Sequence, residues 1–172
     1  VCAGEGLAKL LRELGADNII EGGQTMNPST QDILEAIERT PADTVFVFPN
    51  NKNIIMAAQQ TADLCDKQVV VVPSKTVPQG ISALLVFDPD ASAEENLDAM
   101  TEALGNVDTM QITYAARDSE FDGHDIRAGE YLALYGSALF GSSPNLEELL
   151  AALAARLREQ GSEFITVYYG AD

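Results

Sequence analysis

Apolar positions in the first half of the chain follow two different periods. Leucines recur at helical spacing at residues 7, 10, 11 and 14, and Ile33, Leu34 and Ile37 repeat that spacing after a turn that Ser29 or Thr30 can cap. Short strand-like segments lie at residues 18–20, 44–48 and 68–72, and residues 51–65 are predicted to form a helix between the last two. Continuously apolar runs are typical of strands covered on both faces. The repeated order of strand, turn and helix therefore predicts a parallel sheet with right-handed crossovers.

After residue 88 the pattern changes. A capping box at residues 92–95 begins a predicted helix, and β-rich segments follow at residues 110–116, 124–127, 131–135 and 138–141. Gly136 and Ser137 suit a two-residue hairpin turn. The predicted inner face of the helix that begins at this capping box carries Leu97, Met100, Thr101 and Leu104.

The last part of the chain predicts one more helix and one more strand. Asn145 is placed to cap the helix, a leucine stripe follows at helical spacing, Gly161 ends it, and residues 164–169 read as a strand. We therefore predict an α/β fold. A Rossmann-like half, a parallel sheet with flanking helices, spans residues 1–88, and a smaller α/β subdomain with an antiparallel hairpin or meander spans residues 89–172.

The strand-to-helix turns of the first half share a common character. In a parallel sheet all such turns lie outside the carboxyl ends of the strands, where open α/β sheets bind ligands. The turns at residues 3–6, 22–29, 49–53 and 73–80 combine glycine or proline with short polar side chains, whereas the turns predicted at the opposite edge look ordinary. The candidate binding residues in these turns are Gly22, Gly23, Gln24, Thr25, Asn27, Asn50, Asn51, Lys52, Asn53, Lys75, Thr76 and Gln79.

Lys52 strengthens the binding interpretation. A cation at the start of a helix opposes the positive end of the helix dipole, at a cost of about 0.3–1 kcal/mol. A bound anion or a carboxylate on a protein partner would compensate for this cost. The alternative is that Asn50, Asn51 and Asn53 only cap and turn the backbone. We also expect residues 22–29 and 49–53 to be neighbouring loops, because sequential parallel strands commonly lie side by side.

Composition narrows the classes of partner. The 172 residues contain 10 Lys plus Arg and 27 Asp plus Glu, and the net charge of −17 disfavours nucleic acid and anionic lipid surfaces. Cys2 and Cys65 lack the spacing of a disulfide framework or zinc site, so a reducing compartment, the cytoplasm, is expected. No apolar run approaches the roughly 20 residues of a membrane span.

The search for catalytic motifs is mostly negative. The sequence contains no Walker A motif, GxSxG elbow or HExxH pair, and no GxGxxG follows a strand. His124 is the only histidine and is predicted to lie in a surface turn, and the acidic residues 118–122 are interpreted as a solvated loop. We therefore predict no catalytic and no metal-binding residues in this chain.

Five segments, in order along the whole chain, resemble the C-terminal domain of the fatty acid kinase A family. The members of this family are dihydroxyacetone-kinase-like proteins of bacteria, sometimes described as Dak phosphatases. Arg117, within the fourth segment, joins the candidate binding residues through this resemblance. The matching segments are GGQTMNPS at residues 22–29, PNNKNI at 49–54, VPSKTVPQG at 72–80, YAARD at 114–118 and TVYYG at 166–170.

The resemblance implies a division of labour within a longer protein. An N-terminal kinase domain binds Mg-ATP, and the C-terminal domain engages a DegV-type fatty-acid-binding protein. The kinase phosphorylates the acyl carboxylate that this partner presents, which supplies acyl phosphate for phospholipid synthesis. We expect this chain to be a fragment, truncated at its C-terminus, that binds no cofactor and is not catalytic alone. Two alternatives stay open: a domain that binds a small phosphate or dihydroxyacetone-like ligand, and a structural domain that forms homodimers.

Overall fold

The computed structural model describes residues 1–23, 26–121 and 123–170, so the predicted binding residues Gln24 and Thr25 lie outside it. Within this part the chain forms six α-helices and seven β-strands, and it divides into two compact units, Val1–Thr109 and Met110–Asp172. The predicted α/β class, with a parallel sheet followed by antiparallel strands, is confirmed.

The first unit is built on a parallel sheet. In this sheet Val45 lies opposite Val69 on the neighbouring strand, and Cys2 forms an isolated parallel bridge with Glu21. The Val1 amino group donates a hydrogen bond to the Phe48 carbonyl at 2.7 Å. The elements are α1 (Glu5–Glu13), α2 (Thr30–Arg39), β1 (Thr44–Val47), α3 (Ile55–Thr61), β2 (Gln68–Val71), α4 (Val77–Leu85) and α5 (Ala93–Gly105).

These contacts correct the predicted strand order. Sequential strands were expected to lie side by side, which would place residues 18–20 next to 44–48. Instead, Val1 and Cys2 run between them, because Val1 bonds to Phe48 on one side and the Cys2 amide donates to the Ile20 carbonyl on the other, at 3.1 Å.

Helices cover both faces of the sheet, as continuously apolar strands predict. Val45 and Val47 of β1 pack with α2 and α3, whereas Phe46 and Phe48 lie against α4 and α5. Odd and even residues of β1 therefore enter two different apolar clusters, and α1 packs around Cys2 in a third.

Three features of the first unit differ from the sequence prediction. The helix predicted for residues 51–65 spans only Ile55–Thr61. The residues just before Ile55 form a turn instead, because the Asn51 side-chain oxygen accepts a bond from the Asn53 amide at 2.9 Å. Helix α4 was not predicted, although Thr76 caps it. Helix α5 packs on α4, so the division between the units falls after Thr109 instead of after residue 88.

The buried face of α5 matches the prediction except at Thr101 and Asn96. Met100 and Leu104 are buried, but Thr101 is exposed. Asn96 occupies a buried position, where its side-chain amide donates to the carbonyl of Asp88 at 2.8 Å and its side-chain oxygen accepts from the Asp88 amide at 2.8 Å. Satisfied hydrogen bonds let this polar side chain replace an apolar one.

The second unit contains an antiparallel sheet in which the strand Tyr131–Tyr135 lies between the strands Met110–Tyr114 and Ala138–Ser143. The strands Ser119–Phe121 and His124–Ile126 form a separate hairpin. The predicted turn at Gly136 and Ser137 is confirmed, with Tyr135 opposite Ala138 and a left-handed Gly136 (φ 62°). Leu149 and Leu153 pack on Ala133 of the sheet. The elements are β3 (Met110–Tyr114), β4 (Ser119–Phe121), β5 (His124–Ile126), β6 (Tyr131–Tyr135), β7 (Ala138–Ser143) and α6 (Leu146–Glu159).

The strand predicted at residues 164–169 is wrong. These residues carry no strand or helix, and the Phe164 and Tyr169 side chains are each 91% exposed. A β-rich segment becomes a strand only when another strand pairs with it, and none does so in the described part of the chain. Within the same limits, no helix is long and apolar enough to cross a membrane.

Candidate functional site

The polar loops of the first unit meet at the carboxyl ends of its parallel strands. Residues 49–53 follow β1, residues 73–76 follow β2, and residues 22–29 follow the strand position of Glu21. The Asn51 side-chain amide donates to the Gly23 carbonyl at 3.2 Å, which confirms that the loops at 22–29 and 49–53 are neighbours. We call the described residues of these three loops, together with α4 residues 77–80, the carboxyl edge.

Asn50 is the structural centre of the carboxyl edge. It adopts a left-handed backbone conformation (φ 55°), which asparagine tolerates better than most residues, and only 8% of it is exposed. Its amide N–H donates to Ser74 Oγ at 3.0 Å, the Ser74 hydroxyl donates to Asn50 Oδ1 at 2.8 Å, and Asn50 Nδ2 donates to the Val1 carbonyl at 2.9 Å. The Asn50 side chain thus joins the loop after β1 to the loop after β2 and to Val1.

Gly80 provides the space that this network needs. A Cβ atom at position 80 would lie 2.0 Å from Asn50 Oδ1, which no side chain can tolerate without displacement. Gly22 has a similar role in its own loop, where a Cβ atom would lie 2.8 Å from Pro28 Cδ. Sequence analysis selected Gly22 but not Gly80 as a site residue. Sequence analysis treated Gly80 only as part of the turn at residues 73–80, because the helix that contains it, α4, was not predicted.

Thr76 and Gln79 also have partners within the protein. Gln79 Oε1 accepts a bond from the Lys75 amide at 2.9 Å, and its Nε2 donates to the Leu104 carbonyl at 3.3 Å. The hydroxyls of Thr76 and Thr109 lie 2.8 Å apart. These bonds hold the start of α4 against α5, so they position the edge.

Other residues that were predicted to bind a partner or ligand are exposed to solvent. The side chains of Asn27, Lys52, Asn53 and Lys75 are exposed, and Met26, which sequence analysis did not select, is 78% exposed. Among the described residues no carboxylate lies within 4.0 Å of either lysine. The carboxyl edge therefore presents two unpaired cations in a chain whose net charge is −17.

Arg117 belongs to the second unit. It lies between β3 and β4 and is exposed. The neighbouring Asp118 carboxylate accepts a bond from the Ala128 amide at 2.8 Å, which fixes the loop that carries the arginine. The structure thus describes Arg117 as an accessible cation within its own unit.

Groups for metal binding or covalent chemistry are scarce in the residues that the structure covers. No three His, Cys, Asp or Glu side chains converge there. Cys2 is buried, and this burial raises the pKa of its thiol, which disfavours the reactive thiolate.

Comparison with known proteins identifies the family. A family model for the C-terminal domain of FakA-like proteins, where FakA denotes a fatty acid kinase component, matches residues 1–172. The chain belongs to this family, which confirms the resemblance of its loop motifs.

Similar curated proteins occur in Bacillus subtilis and Staphylococcus aureus. It is 46% identical over its full length to Protein YloV of Bacillus subtilis (strain 168), and it covers 31% of that protein. It is 40% identical to uncharacterized proteins of Staphylococcus aureus strains USA300 and N315, again over its full length and 31% of theirs. The chain thus spans about a third of the length of these curated relatives.

Proposed function

We propose that the carboxyl edge is the surface through which a fatty acid kinase recognises a DegV-type fatty-acid-binding protein. Membership of the kinase family supports a role associated with fatty acid phosphorylation. The observation that carries the proposal is the pair of exposed, unpaired lysines, Lys52 and Lys75, mounted on loops that the Asn50 network holds together.

A protein partner suits this edge better than a small ligand does. The polar side chains that could enclose a small molecule, Asn50, Thr76 and Gln79, form bonds within the protein. The groups that remain accessible are spread over several loops, as in a protein interface with a polar rim. Met26 adds an exposed apolar side chain of a type enriched in interfaces.

The charge of the carboxyl edge supports recognition of an acidic surface on the partner. Most of the chain repels anions, so Lys52 and Lys75 form a local exception to which an acidic patch on the partner would dock. Within the longer protein, the kinase domain would bind Mg-ATP and transfer phosphate to the carboxylate of the carried fatty acid. This domain would hold the carrier in place and would itself bind no cofactor.

Calorimetry tests the proposal directly. The acyl-loaded DegV-type protein from the same genome is titrated with the full-length kinase and with the domain of residues 1–172, both without nucleotide. We expect both titrations to show binding. If only the full-length protein binds, although the isolated domain unfolds cooperatively and is therefore folded, the partner surface lies in another part of the kinase.

The small-ligand and homodimer alternatives predict different results. Phosphate or dihydroxyacetone phosphate at about 100 times its dissociation constant would stabilise the domain by roughly 2.7 kcal/mol in thermal unfolding. We expect no such shift. Sedimentation of the domain alone reports on dimer formation, and a stable dimer without affinity for the carrier would favour the structural alternative.

A further inference from the structure

A cavity of about 510 Å³ interrupts the parallel sheet of the first unit. Residues 15–20 line one side of it and residues 44–48 line the other, with Val1 between them. Interiors of this kind are normally packed with few voids larger than a water molecule. A cavity of this size within a sheet therefore requires an explanation.

The backbone along one wall of the cavity lacks a partner. A central strand of a parallel sheet bonds to a neighbour on each side. In the described part of the chain, β1 pairs over its length with β2 only, although Val45 and Val47 are buried like residues of a central strand. On the other side of β1 the first bond is the one from the Val1 amino group to the Phe48 carbonyl, just past the end of the strand.

The side chains around the cavity fall into two sets. Ala36, Ile37 and Thr40 of α2 approach it from one face of the sheet, whereas Leu84 of α4 and Met100 of α5 approach it from the other. A strand places successive side chains on opposite faces. The cavity thus offers apolar surroundings to both faces of one extended segment.

Val1 and Cys2, at one end of the cavity, indicate the direction in which such a segment would run. Val1 packs with the α2 and α3 cluster and Cys2 with the α1 cluster, so they already alternate as strand residues do. The Cys2 amide donates to the Ile20 carbonyl, and the Gly22 amide donates to the Cys2 carbonyl, both at 3.1 Å, in a parallel pattern. Extending this strand backwards from Val1 leads directly into the cavity.

We propose that, in the full-length protein, the segment immediately before Val1 fills this cavity as the central strand of the sheet. About four residues in extended conformation would match the four residues of β1. They would be apolar, because both of their faces are enclosed. An acyl chain fits the cavity less well, since it cannot satisfy the backbone N–H and C=O groups of β1.

This arrangement has a consequence for the longer protein. The strand would continue through Val1, whose carbonyl accepts the bond from Asn50 Nδ2, into the loop that precedes α1. The upstream domains would then be joined to the middle of the sheet, next to the Asn50 network. The proposal does not depend on what the carboxyl edge binds.

Two measurements on the full-length protein test the strand. In hydrogen exchange, all amides of residues 44–47 should be protected, including those that do not bond to β2, which a two-stranded sheet would leave to exchange rapidly. In thermal unfolding of the first unit, Ala36→Phe should lower the melting temperature by at least about 3 °C, because its ring would overpack an occupied space. Ala83→Phe, at a buried site away from the cavity, is the matched control and should lower it similarly.

Other outcomes would overturn the proposal. A melting temperature for Ala36→Phe that equals or exceeds that of the unmodified protein, with Ala83→Phe destabilising, would mean that the space is empty. Palmitate that stabilises the unmodified protein but not Ala36→Phe would assign the cavity to an acyl chain. If Ala36→Phe does not fold, the exchange data decide alone, and rapid exchange of the β1 amides that do not bond to β2 contradicts the proposal.

Discussion

Individual side chains at the carboxyl edge divide into those that build it and those that it presents. Lys52 and Lys75 are exposed, as expected for charged residues in loops. Asn50 was predicted to bind a partner, but its side chain is committed to Ser74 and Val1. Sequence alone did not reveal this role, because the partners lie 24 and 49 positions away.

The contact between Gly80 and Asn50 gives a prediction at this scale. Gly80→Ala should lower the free energy of unfolding by about 1–3 kcal/mol, since the added methyl group would collide with Asn50 Oδ1. Gly105→Ala is the control, because it meets no atom within 4 Å at the end of α5. It should be neutral or stabilising by up to about 1 kcal/mol. Urea unfolding measures both, and equal effects would contradict the packing argument.

At the scale of helices and strands, local chemistry predicted most elements. The predicted capping box of α5 and the predicted Asn145 cap of α6 are present, and α2 begins at Ser29, one of its two predicted caps. Helix α4 escaped prediction because Pro73, Pro78 and Gly80 make its start resemble a loop, whereas Pro78 in fact lies in the first turn. The segment at residues 164–169 has strand composition but no pairing partner among the described residues, which composition cannot reveal.

The cap of α2 can be tested with neighbouring residues. Sequence analysis left Ser29 and Thr30 as alternatives, and the structure assigns the cap to Ser29, whose hydroxyl accepts a bond from the Asp32 amide at 3.2 Å. Ser29→Ala should cost about 1 kcal/mol. Thr30→Ala should be neutral or slightly stabilising, because alanine favours helix. Denaturant unfolding compares the two variants, and a larger loss of unfolding free energy for Thr30→Ala would mean that Thr30, not Ser29, caps α2.

At the scale of the whole molecule, the repeating pattern predicted the fold class but not the strand order. The order depends on Val1 and Cys2, whose single bridge is too short to produce a hydrophobic pattern. The grouping of α5 with the first unit likewise depends on tertiary packing against α4. The shared edge of the loops was predictable, because it follows from parallel topology alone.

Charge at the molecular scale leads to the central test, which is the affinity of the full-length kinase for the acyl-loaded DegV-type protein. Lys52→Glu and Lys75→Glu are compared with Lys9→Glu, an equal change of charge on α1, where Lys9 lies 3.8 Å from Glu13. Both edge variants should fold normally, because Lys52 and Lys75 are exposed and form no ion pair in the described part of the chain.

We predict that Lys52→Glu and Lys75→Glu each weaken binding by roughly threefold to tenfold at low salt, that this loss shrinks as salt is added, and that Lys9→Glu binds like the unmodified protein. Unchanged affinity for both edge variants, or an equal loss for Lys9→Glu, would contradict the assignment of the carboxyl edge as the partner surface.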